Sequence, residues 1–204
     1  MIAYNNEEFL KKELTFTNNG RLIDHLGNRV MMDWEDGIMK DAASLICRDG
    51  GKILNIGFGL GIIDTYIQSY NIQEHWIIEA HPQVIHKMKE DGWDNKPNVT
   101  CIFDDWKKVF NELPSFDGIY FDTHAESCGE IITIIPDKIK PGGKFLYFDG
   151  HIEQASSNFK PPNYTVEKHI TNIKHIDSDQ LADGRYYWNP KNKQYHHHLI
   201  IKNN

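Results

Sequence analysis

The amino-acid sequence predicts an α/β fold in which helices cover both faces of a mostly parallel β-sheet. Short apolar runs of strand length alternate about five times with segments whose apolar residues recur at helical spacing, and the intervening loops are short. The length of 204 residues is that of one domain, so we expect residues 1–204 to fold as a single domain.

The repeating pattern begins with a helix predicted over Asp36–Cys47, which Asp49 and the two glycines after it would end. Ahead of it we expect a polar entry segment with one short helix around Glu7–Leu14. The strands predicted after it are Lys52–Ile56, His75–Glu79, Val99–Phe103, Phe116–Phe121 and Lys144–Phe148. The helices predicted between them are Ile62–Tyr70, His81–Lys89, Trp106–Leu113 and Gly129–Ile139. Pro136 would disturb the last helix, and the glycines after Pro141 would end it.

The rhythm changes after Asp149, where helical spacing gives way to strand-like segments. The strands predicted there are Thr165–Ile173, Arg185–Trp188 and His196–Ile201. A turn over Asn189–Asn192 would join the last two. We therefore expect an antiparallel pair of strands at the end of the sheet.

Charge and composition exclude several classes of protein. The formal net charge of −7 argues against a protein that follows the phosphate backbone of a nucleic acid. No apolar stretch reaches the roughly 20 residues of a membrane span, and the N-terminus lacks the apolar region of a signal peptide. The three cysteines are widely spaced and form neither a disulfide framework nor a metal-binding pair. We expect a cytoplasmic monomer or homodimer without nucleic-acid or membrane partners.

The strongest local signal is a glycine-rich turn between a predicted strand and a predicted helix, at Gly57, Gly59 and Gly61. Glycines let a backbone approach a ligand closely, and Glu79 ends the next strand, where an acid hydrogen-bonds the ribose of an adenosine cofactor. The dinucleotide-binding pattern needs a glycine at position 62, which is Ile62 here. The spacing fits S-adenosylmethionine better, although a tight turn without a ligand has the same pattern.

Acidic residues end two further strands. Asp104 and Asp105 follow the third strand, where the adenine of such a cofactor would lie, although Asp105 could instead cap the helix at Trp106. Asp122 ends the fourth strand, at the sheet edge where α/β proteins bind ligands. A carboxylate there would be partly desolvated and would need a cationic partner. The alternative is that Asp122 caps the following loop.

The run Tyr195–His198 suggests a metal site at first sight, since it contains three histidines. It lies on a predicted strand, where adjacent side chains point to opposite faces and cannot converge on one ion. We therefore expect no bound metal.

Six blocks of the sequence, taken in order, point to one protein family. They are Val30–Glu35, Ile56–Gly59, Glu74–Glu79, Phe116–Thr123, Lys140–Gly143 and Arg185–Tyr187. Together they resemble guanidinoacetate N-methyltransferase and its close relatives that methylate guanidino groups. The resemblance implies a Rossmann-like class I methyltransferase fold, with a mostly parallel seven-stranded sheet and an antiparallel C-terminal strand pair. It also implies that residues 1–35 cover the substrate.

The resemblance also implies roles for individual residues. S-adenosyl-L-methionine would be the cofactor and S-adenosyl-L-homocysteine the product. Residues expected at the cofactor are Met31, Trp34, Gly57, Phe58, Gly59, Gly61, Glu79, Ala80, Asp104, Asp105, Trp106 and Asp122. Residues expected at the substrate are Glu35, Met39, Asp122, Asp149, Gly150, His151 and Tyr186. Glu35 and Asp122 would bind the guanidinium group, with Asp122 as the proton acceptor.

Two departures from the family pattern bear on the ligands, the first on the contact with the methionine end of the cofactor and the second on the substrate. Asn55 stands where methyltransferases usually have an acid, and Asp149-Gly150-His151 replaces the family's anchor for a substrate carboxylate. An additional carboxylate would repel such a group, which favours a guanidino substrate with a neutral or cationic tail. Two alternatives stay open. The same fold could methylate another amine or a protein arginine, or the protein could bind the cofactor without catalysing transfer.

Overall fold

The structure is a computed structural model that describes residues 6–124, 129–148, 163–173 and 193–204. It opens with a short helix, α1 (Asn6–Phe9), and a three-stranded antiparallel sheet. The strands of this sheet are β1 (Leu14–Phe16), β2 (Leu22–Asp24) and β3 (Arg29–Met31). The sequence pattern predicts a helix around Glu7–Leu14 and no strands here. That helix is shorter than predicted, and Leu14 already pairs with Asp24 in the small sheet.

The main sheet has seven strands and the mixed topology that the sequence predicted. Its strands are β4 (Lys52–Ile56), β5 (Glu74–Ile78), β6 (Val99–Ile102), β7 (Phe116–Phe121), β8 (Ile139–Tyr147), β9 (Tyr164–Asn172) and β10 (Gln194–Lys202). Their spatial order is β6-β5-β4-β7-β8-β10-β9, and all pairs up to β8 are parallel. The predicted fold class is confirmed. Strand order reverses between β4 and β7, which creates a crevice at their carboxyl ends.

The antiparallel end of the sheet is also confirmed, with β9 and β10 as its members. The two strands pair continuously from Gln194 opposite Asn172 to Lys202 opposite Tyr164. The predicted strand Arg185–Trp188 lies outside the described residues. On β10, His197 is buried whereas its neighbours are partly exposed, as alternation requires. The described residues contain no cluster that could hold a metal ion.

In the part of the chain that the structure describes, five helices accompany the main sheet, most of them shorter than predicted. They are α2 (Asp36–Ile46), α3 (Ile62–Ile67), α4 (Pro82–Glu90), α5 (Trp106–Val109) and α6 (Gly129–Ile134). The prediction of a helix from Gly129 to Ile139 was wrong at its end. A 3₁₀ turn begins one residue before Pro136, since proline removes a hydrogen-bond donor, and β8 already starts at Ile139.

Two apolar clusters lie on opposite faces of the main sheet. One joins α2, α3 and α4 to buried side chains such as Ile53 and Ile77, and the other joins α5 and α6 to Leu54 and Phe121. Successive strand residues point to opposite faces, so both faces of these strands are apolar. Within the described ranges, no helix is long and apolar enough to cross a bilayer.

Packing of α2 against β7 depends on a residue without a side chain. A Cβ atom added at Gly118 would lie 2.4 Å from the carbonyl oxygen of Ile46 and 2.9 Å from Cδ1 of Ile53. Because backbone cannot give way as a flexible side chain can, this position tolerates only glycine.

We predict that Gly118→Ala lowers the free energy of unfolding by about 1–3 kcal/mol, the usual cost of overpacking. The matched control is Gly37→Ala in α2, where an added Cβ would find its nearest neighbour, Cγ2 of Thr171, at 3.9 Å. That change should be neutral or stabilising, because alanine favours helix more than glycine does. Chemical denaturation of both variants tests the pair, and equal stability of the two would contradict it.

Candidate active site

The carboxyl ends of β4 and β7 meet so closely that only glycine fits between them. Gly57 follows β4 with a φ of 94°, in the left-handed region. A Cβ atom at Gly57 would lie 1.9 Å from the carbonyl oxygen of Asp122. The amide of Asp122 donates to the carbonyl oxygen of Ile56 at 2.9 Å, which keeps the two strand ends together. The glycine loop and Asp122 therefore adjoin at the point where strand order reverses.

An open cleft lies at this point, and the empty space within it, including open solvent at its mouth, is about 660 Å³. The sheet side supplies residues that follow β4, β5, β6 and β7. The N-terminal segment supplies the opposite, apolar wall. The lining residues are Phe9, Leu10, Leu14, Leu22, Val30, Met31, Ile56, Gly57, Gly59, Ile78, Glu79, Ala80, His81, Val84, Asp104, Asp105, Trp106, Asp122, Thr123 and His124.

Glu79 joins two of the loops that form the cleft. Its Oε2 atom accepts the backbone amides of Phe58 at 2.9 Å and Gly59 at 3.4 Å. Its Oε1 atom accepts the amides of Ala80 at 2.8 Å and His81 at 2.7 Å. A carboxylate offers about four acceptor positions, and these amides use them. The side chain that was predicted to bind a ribose thus also holds the glycine loop in place.

Asp104, Asp105 and Trp106 lie at the end of β6, within the cleft lining. Asp105 caps α5, since its carboxylate accepts the amide of Lys107 at 2.9 Å. Asp104 accepts the amide of Asp105 at 2.7 Å and the Lys108 ammonium at 2.9 Å. The Trp106 ring is buried against other aromatic rings of the core. Asp105 therefore caps the helix and also lines the cleft.

Asp122 is the group in the cleft whose electrostatic state is most unusual. Burial raises the pKa of its carboxyl from the ordinary value of 3.8 to about 7. Among the described residues, none forms a hydrogen bond or ion pair with this carboxylate. A desolvated acid without a partner favours its neutral form, and a bound cation would reverse that preference. The site is therefore suited to a cationic ligand.

Glu35, Trp34 and Met39 do not belong to the lining of this cleft. Glu35 is buried, and its Oε1 atom accepts the amide of Met32 at 3.1 Å, which caps the turn before α2. Met39 is buried and accepts the Tyr120 hydroxyl at 3.4 Å. The structure thus brings Asp122 to the cleft and leaves these three residues in the packing beneath it.

Phe58 and Gly61 contribute to the glycine loop without lining the cleft. The Phe58 ring packs edge-on against Trp93, with 5.2 Å between ring centroids. Its backbone amide, rather than its ring, reaches Glu79. Gly61 begins α3 close to the Phe58 ring. Four residues predicted to contact the substrate, Asp149, Gly150, His151 and Tyr186, lie outside the described residues.

The residues that fasten the N-terminal segment at the cleft are not among the predicted site residues. The Nε2 atom of His81 lies 3.0 Å from the carbonyl oxygen of Lys12. Gln83 accepts the amide of Leu14 at 2.6 Å and donates to its carbonyl at 3.2 Å. Burial lowers the pKa of both His81 and His124, and the ring of Phe9 packs against both. The adjacent apolar residues Phe9 and Leu10 are the sequence feature that could have indicated packing of the N-terminal segment against the cleft.

Comparison with known families decides where the chain belongs. The family model described as guanidinoacetate N-methyltransferase matches residues 5–150 of this chain. The chain belongs to the guanidinoacetate N-methyltransferase family. The resemblance that the six sequence blocks indicated is therefore confirmed.

Relatives and solved structures agree with this family. Protein arginine N-methyltransferase 2 of Aspergillus oryzae is 41% identical over 203 residues, which cover 90% of this chain and 49% of that protein. Precorrin-6y C5,15-methyltransferase of Geobacter metallireducens superposes with a TM-score of 0.59 at 14% identity, covering 98% of this chain and 97% of that one. TYW2 of M. jannaschii in complex with AdoMet gives 0.57 at 15% identity, with coverages of 99% and 89%. The chain spans between 34% and 49% of the length of curated relatives that it matches.

The raised pKa of Asp122 predicts a pH-dependent effect on stability. The folded protein holds a proton on this carboxyl up to pH about 7, whereas the unfolded chain loses it near 4. Folding stability therefore falls as pH rises through this range. Asp122→Asn removes that loss, so its melting temperature should exceed that of the wild type by more at pH 8 than at pH 5.

The matched control is Asp94→Asn, at an exposed position. Its melting temperature should differ from that of the wild type by the same small amount at both pH values. Calorimetric melting at the two pH values tests this prediction. A pH-independent effect of Asp122→Asn would mean that the carboxylate is solvated.

Proposed function

We propose that this chain is an S-adenosylmethionine-dependent N-methyltransferase that acts on a guanidino nitrogen of a small molecule. Three features support the cofactor. The backbone of Gly57 and Gly59 lines the cleft without side chains, Glu79 directly follows β5, and both lie on the same cleft wall. When bound, the cofactor supplies an electrophilic methyl group carried on a sulfonium.

Several residues would hold the cofactor. Gly57 and Gly59 would face its methionine part, and Glu79 would meet the ribose after yielding one of its amide contacts. The longest of these contacts, to Gly59 at 3.4 Å, is the one most easily exchanged. Asp104 and Asp105 would lie near the adenine, and Met31 would close the cleft from the N-terminal side.

The observation that carries the choice of acceptor is the isolated, desolvated carboxylate of Asp122. A guanidinium presents paired N–H donors that match a carboxylate bidentately, and its charge would compensate the cost of ionising Asp122. Glu35, which is buried outside the cleft lining and accepts the Met32 amide, is the second acid that we assign to the acceptor, and this role requires the turn before α2 to open toward the cleft. With Asp122 it would hold the plane of the guanidinium, and such positioning is a large part of catalysis.

The raised pKa also makes Asp122 a better proton acceptor than an ordinary aspartate. A guanidinium has a pKa above about 12, so the gap to an aspartate near 4 is about 8 units. With Asp122 at about 7 in the free protein, that gap is about 5 units, or about 7 kcal/mol, and it widens again when the bound guanidinium lowers the pKa of Asp122. Complete deprotonation beforehand is still costly. Asp122 would therefore accept the proton as the nitrogen–carbon bond forms.

The direct test is transfer of labelled methyl from S-adenosylmethionine to a panel of acceptors. The panel contains guanidinoacetate, agmatine, free arginine, guanidine and an arginine-containing peptide. We expect a free guanidino compound to be methylated, with Asp122→Asn lowering kcat/KM by about 100-fold or more, in line with loss of a general base. Glu35→Gln should weaken acceptor binding. Asp94→Asn should leave kcat/KM and acceptor binding unchanged.

The panel separates the proposal from its alternatives. Methylation of the arginine-containing peptide alone would indicate that the acceptor is a protein arginine, as the name of the Aspergillus oryzae relative states. Cofactor binding without transfer to any acceptor would support a non-catalytic binding protein. Either result would overturn the small-molecule acceptor.

The proposal also predicts the pH dependence of catalysis. Since Asp122 must be ionised to bind a guanidinium, kcat/KM should rise tenfold per pH unit below about 7 and level off above it. Burial keeps the pKa of His81 and His124 below the ordinary histidine value, so both stay neutral along the upper part of this rise. Initial rates from pH 5.5 to 9 measure the profile. A flat profile would show that no group with this pKa takes part.

A further inference from the structure

Beneath the glycine loop lies a chain of polar side chains that do not line the cleft. Asn55 on β4, Asp64 on α3 and His75 on β5 each have no solvent-exposed surface. Side-chain contacts join them to one another, and Gln68 extends the chain from the end of α3. Buried polar groups are costly unless they are paired, so an arrangement across three elements specifies one geometry.

The direction of each hydrogen bond follows from the chemistry of the partners. The Asn55 amide nitrogen lies 2.9 Å from the carbonyl oxygen of Gly57, and 3.0 and 2.9 Å from the two carboxylate oxygens of Asp64. Gln68 donates to Nδ1 of His75 at 3.0 Å, which leaves the ring proton on Nε2. That atom lies 3.0 Å from Oδ1 of Asp64 without hydrogen-bond geometry, and the Oδ1 atom of Asn55 has no hydrogen-bond partner among the described residues.

Asn55 is the member of this chain that reaches the glycine loop. Its amide nitrogen has two protons, and it donates one to the Gly57 carbonyl and the other to Asp64. An aspartate at position 55 would oppose two acceptors, since both neighbours are oxygen atoms without protons. The departure from the usual acid at this position is thus matched by the carboxylate of Asp64.

We propose that Asn55 is a positioning residue that fixes the glycine loop in its ligand-binding conformation. The amide of Gly57 donates to the carbonyl oxygen of Ile78 at 2.9 Å, and its carbonyl accepts from Asn55. Gly57 is therefore held at both of its backbone polar groups, and Glu79 holds the next two amides. Asn55 acts through Gly57 alone, because it has no surface in the cleft. The effect on cofactor affinity rests on the proposed function.

The test exchanges the side chains of Asn55 and Asp64. Asn55→Asp alone places two carboxylates together and should destabilise the fold. The double variant Asn55→Asp/Asp64→Asn restores one amide facing one carboxylate, so folding should recover. The carboxylate at position 55 still cannot donate to the Gly57 carbonyl. The single variant Asp64→Asn is the control, because it keeps the Asn55–Gly57 bond.

Thermal unfolding and calorimetric titration with S-adenosylhomocysteine are measured on all four proteins. We expect the exchanged variant to melt within a few degrees of the wild type and to bind at least about tenfold more weakly, the effect of one lost hydrogen bond. Asp64→Asn should bind within about threefold of the wild type. An exchanged variant that recovers both stability and affinity would overturn the proposal, since a purely structural role predicts that result.

Hydrogen exchange of the Phe58 and Gly59 amides gives a second reading that needs no ligand. Both amides should exchange their hydrogens about tenfold faster in the double variant Asn55→Asp/Asp64→Asn than in the wild type, at equal global stability. If the wild type bound no cofactor, the proposed function would fail, and the exchange rates would still test the loop. Unchanged rates at these two amides would overturn the role of Asn55.

Discussion

The close approach of the glycine loop to the end of β7 is the constraint on which the rest of the site depends. The space between Gly57 and the Asp122 carbonyl is too small for any side chain, so the two strand ends form one continuous surface. Asp122 lines the cleft at this surface, and burial raises the pKa of its carboxyl to about 7. The same contact places this acid directly beside the loop that would hold the cofactor. One steric requirement thus determines where the loop and the acid meet.

Much of the site could be predicted because its elements carry strong local signals. Lys52–Ile56 and Phe116–Phe121 are short apolar runs between turn residues, and both strands have the predicted bounds. The three-residue strands β1–β3 could not be predicted, because they are too short to show alternation. The place of Glu35 was equally hidden. Its carboxylate caps its own turn through Met32, a choice that helix geometry makes locally and that sequence blocks do not reveal.

Two carboxylates, those of Glu79 and Asp64, hold the glycine loop in place from opposite sides. Glu79 holds the glycine loop from the cleft side, through the amides of Phe58 and Gly59. Asp64 holds it from below, through Asn55. Asp122 differs from both, because among the described residues it has no partner of its own. Its acceptor positions are therefore available to a ligand, whereas those of Glu79 and Asp64 are occupied by N–H groups of the protein.

The most direct test of this account is the titration of the Asp122 carboxyl itself. Its ¹³C resonance, identified by its loss in Asp122→Asn, can be followed from pH 4 to 9 in the free protein and with agmatine and S-adenosylhomocysteine added. The account predicts a midpoint near pH 7 in the free protein, moving down by at least about one unit when the guanidinium binds. A midpoint near pH 4 in the free protein, unchanged by the ligands, would contradict it.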